Sequence, residues 1–464
     1  MTANPEAPQP HIGSQGGYPL PDTVELAYEA VDLNRAVQAY RFFYRSVSGA
    51  AIFNGMADSG ARPNAVFGYL DTQPHHVGFT LNSDTPYGAV LLDLHAGPMV
   101  IDVPEGPFVG AVMDVHQRWL LDFGLPGPDA GAGGKHVVLP PGYEGDPPEG
   151  YHVAVAESYR VLGAVRSIPQ DGDVKAALQL LTEVKVYPLE PQEDWADPTW
   201  VDITAEGQDT TPLAIETDLQ FWHALHQIVD SEPVLGDSRA QYGELAALGI
   251  AKGQPFEPDA RMARILDLAA KTANMQMRVE AFADRTPARL VWPERQWEWA
   301  ALRSENGTFD TPDYRDTYAL DKWFFQAIAT SPAMFRRDVG AGSLYWLGLS
   351  DRTGAYLDGA KSYTLTVPLP VPGTLFWSVT VYDATTRSQV ITAQGRAAVR
   401  SLFELTELSG DSVVLHFGPE PPEDGEDRWV QTLPGAGWFA YFRIYGPEAP
   451  AFDGSWKPGD FELV

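Results

Sequence analysis

The hydrophobic pattern of this chain changes period twice along its 464 residues, which excludes an all-helical bundle and a single continuous sheet alike. Between residues 65 and 168 the apolar residues fall in short runs broken by Gly and Pro. Residues 88–94, 99–103, 109–115, 136–139 and 152–156 read as strands of a sandwich. Helical spacing then takes over. Thr217 and Gln220 are spaced as a capping box, and Asp259 stands before a run through Met262, Ile265, Leu266, Ala269 and Ala273. Further helices are expected at 320–330 and just after Pro332. Beyond Gly342 the period-two pattern returns at 343–349, 355–357, 363–369, 376–382, 412–417 and 438–445, and D-R-T-G before Ala355 is a hairpin signal. The expected fold is mainly β with a helical middle (α+β), holding two β-sandwich or jelly-roll-like domains. The expected division is a flexible arm at 1–20, a sandwich domain with a leading helix (23 to about 44) at 21–200, a helical segment at 201–340 and a second sandwich at 341–464.

Composition narrows the function classes. A formal net charge of −30 disfavours phosphate backbones and anionic lipid, so neither nucleic acid nor membrane is an expected partner. The chain has no cysteine, which removes disulfides, thiol catalysis and iron–sulfur clusters. The N-terminus shows neither a basic start nor an apolar segment of the signal-peptide kind, so the expected location is the cytoplasm.

Several motif readings fail on their own terms. P-G-P-D-A-G-A-G-G-K lacks the Lys-Ser/Thr ending of a phosphate loop and reads as a surface loop with Lys135 turned inward. G-x-S-x-G, H-E-x-x-H and a dinucleotide fingerprint do not occur. His223 and His226 lie three apart on a helix, but the second falls on an apolar face, where a hydrogen-bonded core histidine is the usual occupant; His75 and His76 diverge as neighbours on a strand. No cofactor and no metal is expected.

The densest chemistry lies in D-V-H-Q-R-W. On a strand, alternation would place Asp114, His116 and Arg118 on one face, a carboxylate, an imidazole and a guanidinium suited to acid/base work. The same trio also reads as a structural ion pair at a domain or subunit interface, the reading that the ordinary use of such groups favours. In N-S-D-T-P-Y, Asn82 and Thr85 suit a turn, with Asp84 and Tyr87 beside them.

Two motif-dense blocks resemble one family. The first, from Leu81 to Gly150, holds N-S-D-T-P-Y, D-V-H-Q-R-W, P-G-P-D-A-G-A-G-G-K and L-P-P-G-Y; the second, from Tyr356 onward, holds Y-L-D-G, F-W-S-V-T-V-Y-D, W-F-A-Y-F-R-I-Y-G-P and D-G-S-W-K-P-G. These look like the paired DUF1254 and DUF1214 domains, a bacterial family named for its lack of an assigned function. The resemblance implies an N-terminal β-sandwich and a C-terminal jelly-roll-like domain with helices between. It adds weight to Asp84 and Tyr87 as pocket residues, and to Tyr356, Asp358, Tyr382, Asp383 and Arg443 at strand ends.

The functional expectation is a cofactor-independent enzyme, a hydrolase acting on a small organic substrate by general acid/base chemistry in an aromatic-lined pocket. Its catalytic residues would be Asp114, His116, Arg118, Asp84 and Tyr87. Substrate binding would fall to Asn82, Gln117, Lys135, Tyr356, Asp358, Trp377, Tyr382, Asp383 and Arg443. A lyase, isomerase or cyclase, or a non-catalytic oligomeric binding protein, is the alternative. Sandwich edges bury themselves by association, so a homo-oligomer is expected.

Overall fold

The computed structural model describes residues 12–75, 78–146, 149–204, 215–236, 238–340 and 342–464, so most of the expected arm lies outside the described residues. The part of the arm that is described forms a small hairpin, β1 (Ser14–Gln15) with β2 (Tyr18–Pro19). The helices are α1 (Pro21–Asp58), α2 (Val174–Leu181), α3 (Leu219–Ser231), α4 (Arg239–Ala247), α5 (Ala260–Phe282), α6 (Thr317–Gln326), α7 (Pro332–Phe335) and α8 (Pro450–Asp453). The chain divides into two compact units, Met1–Tyr44 with Ala214–Gln276, and Arg45–Leu213 with Met277–Val464.

The first unit is helical. Its core stacks Tyr40 on Phe221 with ring centroids 4.0 Å apart, and the indole of Trp222 donates to the Leu266 carbonyl at 2.8 Å. Buried Glu216 accepts from the Tyr44 hydroxyl and from Asn274 Nδ2. Asp218, not Thr217, caps α3 through the Gln220 N–H, whereas Asp259 accepts from the Met262 N–H as its spacing predicts. The Nε2 atom of His226 bonds the Gln254 carbonyl, the hydrogen-bonded reading of that histidine. His76 lies outside the described residues.

The second unit contains two sandwiches. The N-terminal one uses β3 (Val66–Leu70), β4 (Tyr87–Asp93), β5 (Met99–Val103), β6 (Phe108–Asp114), β7 (Trp119–Gly124), β8 (Gly134–Leu139), β9 (His152–Val155), β10 (Arg160–Ser167), β11 (Lys185–Pro188) and β12 (Thr199–Asp202). They form a six-stranded sheet in the order β12-β3-β4-β10-β6-β7 and a four-stranded sheet in the order β11-β5-β8-β9. Val90, Leu92, Val112, Val161 and Val165 of the first meet Met99, Ile101, Val138 and Val186 of the second in one buried core.

The C-terminal sandwich uses β13 (Trp297–Trp299), β14 (Ser343–Gly348), β15 (Tyr363–Pro368), β16 (Gly373–Asp383), β17 (Ala398–Arg400), β18 (Ser412–Gly418), β19 (Trp429–Gln431), β20 (Trp438–Pro447) and β21 (Glu462–Leu463). Its sheets run β13-β14-β20-β16-β17 and β19-β18-β15-β21. Trp346, Trp377, Val379, Phe442 and Ile444 face Tyr363, Leu365, Val413 and Phe417 across its core. The α+β class with two β-sandwiches is therefore as the period changes imply, and Gly354 does occupy the left-handed region at φ 86° in the D-R-T-G turn.

Three local expectations are corrected. The first helix continues to Asp58 rather than ending near Tyr44. The extension runs through S-V-S-G at 46–49, poor helix formers that tertiary burial overrides. D-V-H-Q-R-W is not one strand: β6 stops at Asp114, and Gln117 turns the chain with φ 55°. The helix expected to Thr330 ends at Gln326.

Candidate active site

Each large sheet of the second unit has one face in its own sandwich core, and alternation sends the remaining side chains to the opposite face. On the N-terminal sandwich these side chains fall into three cross-strand rows. Tyr87, Arg166 and Val109 form one; Ala89, Ala164 and Ala111 the next; Leu91, Leu162 and Met113 the third. Three alanines side by side leave a trough between two rows of larger groups.

That trough is the floor of a cavity of about 130 Å³. Gly49, Ile52, Phe53 and Met56 of α1 contribute to its lining, as do Trp323 of α6 and Ala327, Ile328, Ala329 and Ser331 after it. The outer face of the C-terminal sheet adds Tyr345 from β14 and Tyr441 and Arg443 from β20. Gly49 is required where α1 meets the β6–β7 turn, because a Cβ there would collide with the Val115 carbonyl.

Apolar side chains dominate the lining, and among its described residues Asp114 is the only carboxylate and there is no histidine. The β6–β7 register shifts between Val112 and Met113, a bulge that brings both Met113 and Asp114 to the cavity. Asp114 Oδ1 accepts the N–H groups of His116 and Arg118, each at 2.9 Å, while Oδ2 is buried with no hydrogen-bond partner. Burial pushes the Asp114 carboxyl up to about 6, against the backbone donation and the charges of Arg118 and Arg45.

Three of the eight non-glycine residues with positive φ among the described residues, Thr80, Gln117 and Ala329, line this same cavity. Gln117 is pinned on both sides, its Nε2 donating to the Arg45 carbonyl and its Oε1 accepting from the Ala329 N–H. Strain held in place this way is the kind a structure keeps at a working site.

A polar corner lies in the row of Arg166. Asn82 Nδ2 donates to the hydroxyls of Tyr87 at 2.8 Å and Tyr445 at 2.9 Å, and the Arg166 guanidinium lies over both rings. Arg443 is surrounded by the rings of Tyr345, Tyr382 and Tyr441, with centroids 5.0 to 5.5 Å away, and donates through Nη2 to the Thr80 carbonyl. Its Nη1 is buried and without a hydrogen-bond partner. Burial raises the Tyr382, Tyr441 and Tyr445 hydroxyls above their ordinary range, so they remain protonated donors.

The sequence-derived residues fall into three groups. Asn82, Tyr87, Asp114, Gln117 and Arg443 line the cavity together. His116, Arg118, Asp84 and Tyr382 stand behind it. The His116 ring meets Ser46 Oγ at 2.9 Å, and burial with nearby arginines keeps it neutral; the Asp114 carboxylate reaches its backbone N–H, not its ring. Arg118 pairs with Glu157, so Asp114, His116 and Arg118 do not share a face. Asp84 is fully buried, accepts from Ser378 Oγ at 2.9 Å and sits within the field of Arg443. Tyr382 donates to the Leu81 carbonyl.

The remaining residues lie elsewhere. Lys135 is exposed on β8, over the Tyr151 ring, rather than turned inward. Tyr356 is exposed, Asp358 and Asp383 accept N–H groups within their own turns, and Trp377 stacks on Phe442 in the sandwich core. Arg166 on β10 belongs to no motif and is missed by motif reading, although R-V-L-G-A-V-R-S alternates valines at 161 and 165 with Leu162, Ala164 and Arg166. Tyr345 and Tyr441 read as core aromatics for want of a facing sheet.

The described residues contain no group of three or more His, Cys, Asp or Glu arranged to hold a metal ion, and no helix long and apolar enough to cross a membrane.

Family comparisons place the two sandwiches. The DUF1254 family, described as a protein of unknown function, matches residues 66–188; the DUF1214 family, described likewise, matches 342–449. The VPA0106 protein from Vibrio parahaemolyticus has a similar fold, with a TM-score of 0.57 at 16% identity over 93% of this chain and 100% of that one. A putative uncharacterized protein from Burkholderia cenocepacia gives a TM-score of 0.44 at 13% identity, over 95% and 96% of the two chains. No curated protein matches the chain. The chain therefore carries a DUF1254 domain at 66–188 followed by a DUF1214 domain at 342–449.

Proposed function

We propose that the cavity is the active site of a cofactor-independent enzyme in which Asp114 transfers a proton to or from a small organic substrate. The observation that supports this most is the buried, unpartnered Oδ2 of Asp114, the one carboxylate in a lining dominated by apolar side chains. A carboxylate left half-satisfied in that setting costs stability, and its raised proton affinity suits a general acid/base near neutral pH.

Lyase or isomerase chemistry fits better than hydrolysis through an activated serine. The lining offers no histidine to take a serine proton, and its apolar walls disfavour a pool of reactive water. The volume, close to that of a roughly 150 Å³ cavity known to hold benzene, sets the scale of the substrate's apolar body.

A hydrogen-exchange assay tests this without a product having to be identified. Small organic acids, ketones and lactones are incubated with the protein in D₂O, and carbon-bound deuterium is read by mass spectrometry. Exchange is expected for a subset of compounds. It should disappear in Ala164→Leu, which fills the alanine trough, while the melting temperature changes by no more than a few degrees. Exchange that persists undiminished in Asp114→Asn, or its absence for every compound, would overturn the reading; ligand binding without exchange would leave a non-catalytic binding protein.

A further inference from the structure

Toward the cavity, the polar corner presents positive charge. Arg443 and Arg166 both line it, whereas the buried carboxylates Asp84 and Asp122 do not: Asp84 accepts from Ser378 through Oδ2, leaves Oδ1 without a hydrogen-bond partner and acts on Arg443 by its charge, and Asp122 accepts from the Trp119 indole. Asp114 is at the far end of the floor. Arg166 is opposite Val109 in the β10–β6 ladder, and Asp114 lies five residue steps along β6 from Val109, about 16 Å at the usual rise. In a chain of net charge −30, guanidinium groups drawn into a cavity rather than paired on the acidic surface call for a local partner.

Their hydrogen bonding is incomplete in a directional way. Arg443 is 3% exposed, yet Nη1 has no partner and Nη2 reaches a backbone carbonyl. Arg166 donates from Nη1 to the Tyr445 hydroxyl at a long 3.4 Å. Both guanidinium carbons lie over tyrosine rings, that of Arg166 5.6 Å from the Tyr87 centroid and that of Arg443 5.0 Å from the Tyr441 centroid, a cation–π arrangement that uses none of their donors. Asn82 fixes the Tyr87 and Tyr445 hydroxyls beside them.

We infer that Arg443 and Arg166 form a carboxylate-binding corner, so that the molecule entering this cavity is a small organic monocarboxylate whose apolar body lies over the Ala89–Ala164–Ala111 trough. This deepens the proposed active site and rests on the same cavity, with the carboxylate anchored at the arginine end and the rest of the molecule extending toward Asp114. A planar carboxylate matches the fork of a guanidinium, and a desolvated cavity strengthens that match. The negative surface then acts as a filter, disfavouring dianions and polyanions at a distance while one charge is accepted inside.

The test uses benzoate, butyrate and acetate, with benzyl alcohol and benzylamine as isosteres of the first. Calorimetry and thermal shift on the full chain should give saturable binding of benzoate and butyrate, with benzyl alcohol at least about tenfold weaker and benzylamine undetectable. Arg166→Met should weaken benzoate by about tenfold or more, with unchanged far-UV circular dichroism establishing that the fold is intact. Arg443→Lys is the companion variant, expected to weaken benzoate while affecting benzyl alcohol little. Failure of all three carboxylates to bind, or equal affinity for benzoate and benzyl alcohol, overturns the inference.

The two proposals fail separately. Asp114→Asn should keep or improve benzoate binding, because it removes a negative group and no anchor. Benzoate binding that depends on the arginines, with no deuterium exchange on any compound, would retain the corner and reject the enzyme. Exchange on neutral compounds that is lost in Asp114→Asn, with no carboxylate binding, would do the reverse.

Discussion

Asp114→Asn is expected to lower turnover, or deuterium exchange, by about 10²- to 10⁴-fold while making the protein more stable at pH 8. Both effects have one origin. The folded state raises the Asp114 carboxyl to about 6, whereas an unfolded aspartate titrates near 3.9. Between these values the native state holds a proton that the unfolded state has released, so stability falls as pH rises from about 4 to about 6 and stays reduced above that. The shift corresponds to a penalty of about 3 kcal/mol at most, since one pH unit is about 1.4 kcal/mol. An asparagine oxygen can still accept the His116 and Arg118 N–H groups, so the variant escapes the penalty and keeps the turn. Thermal melts of both proteins at pH 4 and pH 8 check this: the curves should nearly coincide at the lower pH and separate at the higher. A less stable variant at pH 8 would mean that the carboxylate is a structural anchor.

The largest loss of stability is expected from Lys322→Ala. Lys322 Nζ is buried 2.8 Å from Asp284 Oδ2 and 2.9 Å from Glu298 Oε2, at the same helix that carries Trp323 into the cavity. Burial alone would push the Asp284 carboxyl up, but the hydrogen bond and charge of Lys322 hold it below its ordinary range. Removing the ammonium leaves two buried carboxylates, with Arg289 on Glu298 and the Tyr318 hydroxyl and the Thr286 N–H and hydroxyl on Asp284 Oδ1 as remaining partners, and leaves Asp284 Oδ2 without its cation. Such a break costs about 3–5 kcal/mol. Urea unfolding at pH 7 should show a clearly lower midpoint at similar slope. A change below about 1 kcal/mol would mean that the site admits water and is screened. In the native protein the Asp284 contribution is present above the unfolded aspartate range and is lost as pH falls through the depressed native value.

The sandwiches were legible because their cores alternate strictly: Val90 and Leu92, or Val379 and Val381, announce a buried face through period two alone. The cavity was legible only in pieces. Asn82, Tyr87, Asp114, Gln117 and Arg443 stand in motif-rich segments, and they do meet. What alternation could not supply is the second sheet. Ala164 is unremarkable until it is seen between Ala89 and Ala111, and Tyr345 and Tyr441 read as core until the outer face of their sheet is found to be covered. His116 shows the converse error. Parity places it beside Asp114 on a strand, but the strand ends at Asp114 and the chain then turns through left-handed Gln117, so alternation does not carry beyond Asp114.

If Asp114 is a desolvated carboxyl facing a ligand cavity, its own titration reveals it most directly. Carboxyl ¹³C resonances of aspartate-labelled protein, with the Asp114 signal assigned by its loss in Asp114→Asn, are followed from pH 3 to pH 9 with and without benzoate. The midpoint should lie near 6 in the free protein and higher with benzoate bound, since a filled cavity adds an anion and excludes remaining water. A midpoint near 4 that does not respond to benzoate would place Asp114 in contact with solvent or a cation, and the cavity would lose its acid/base.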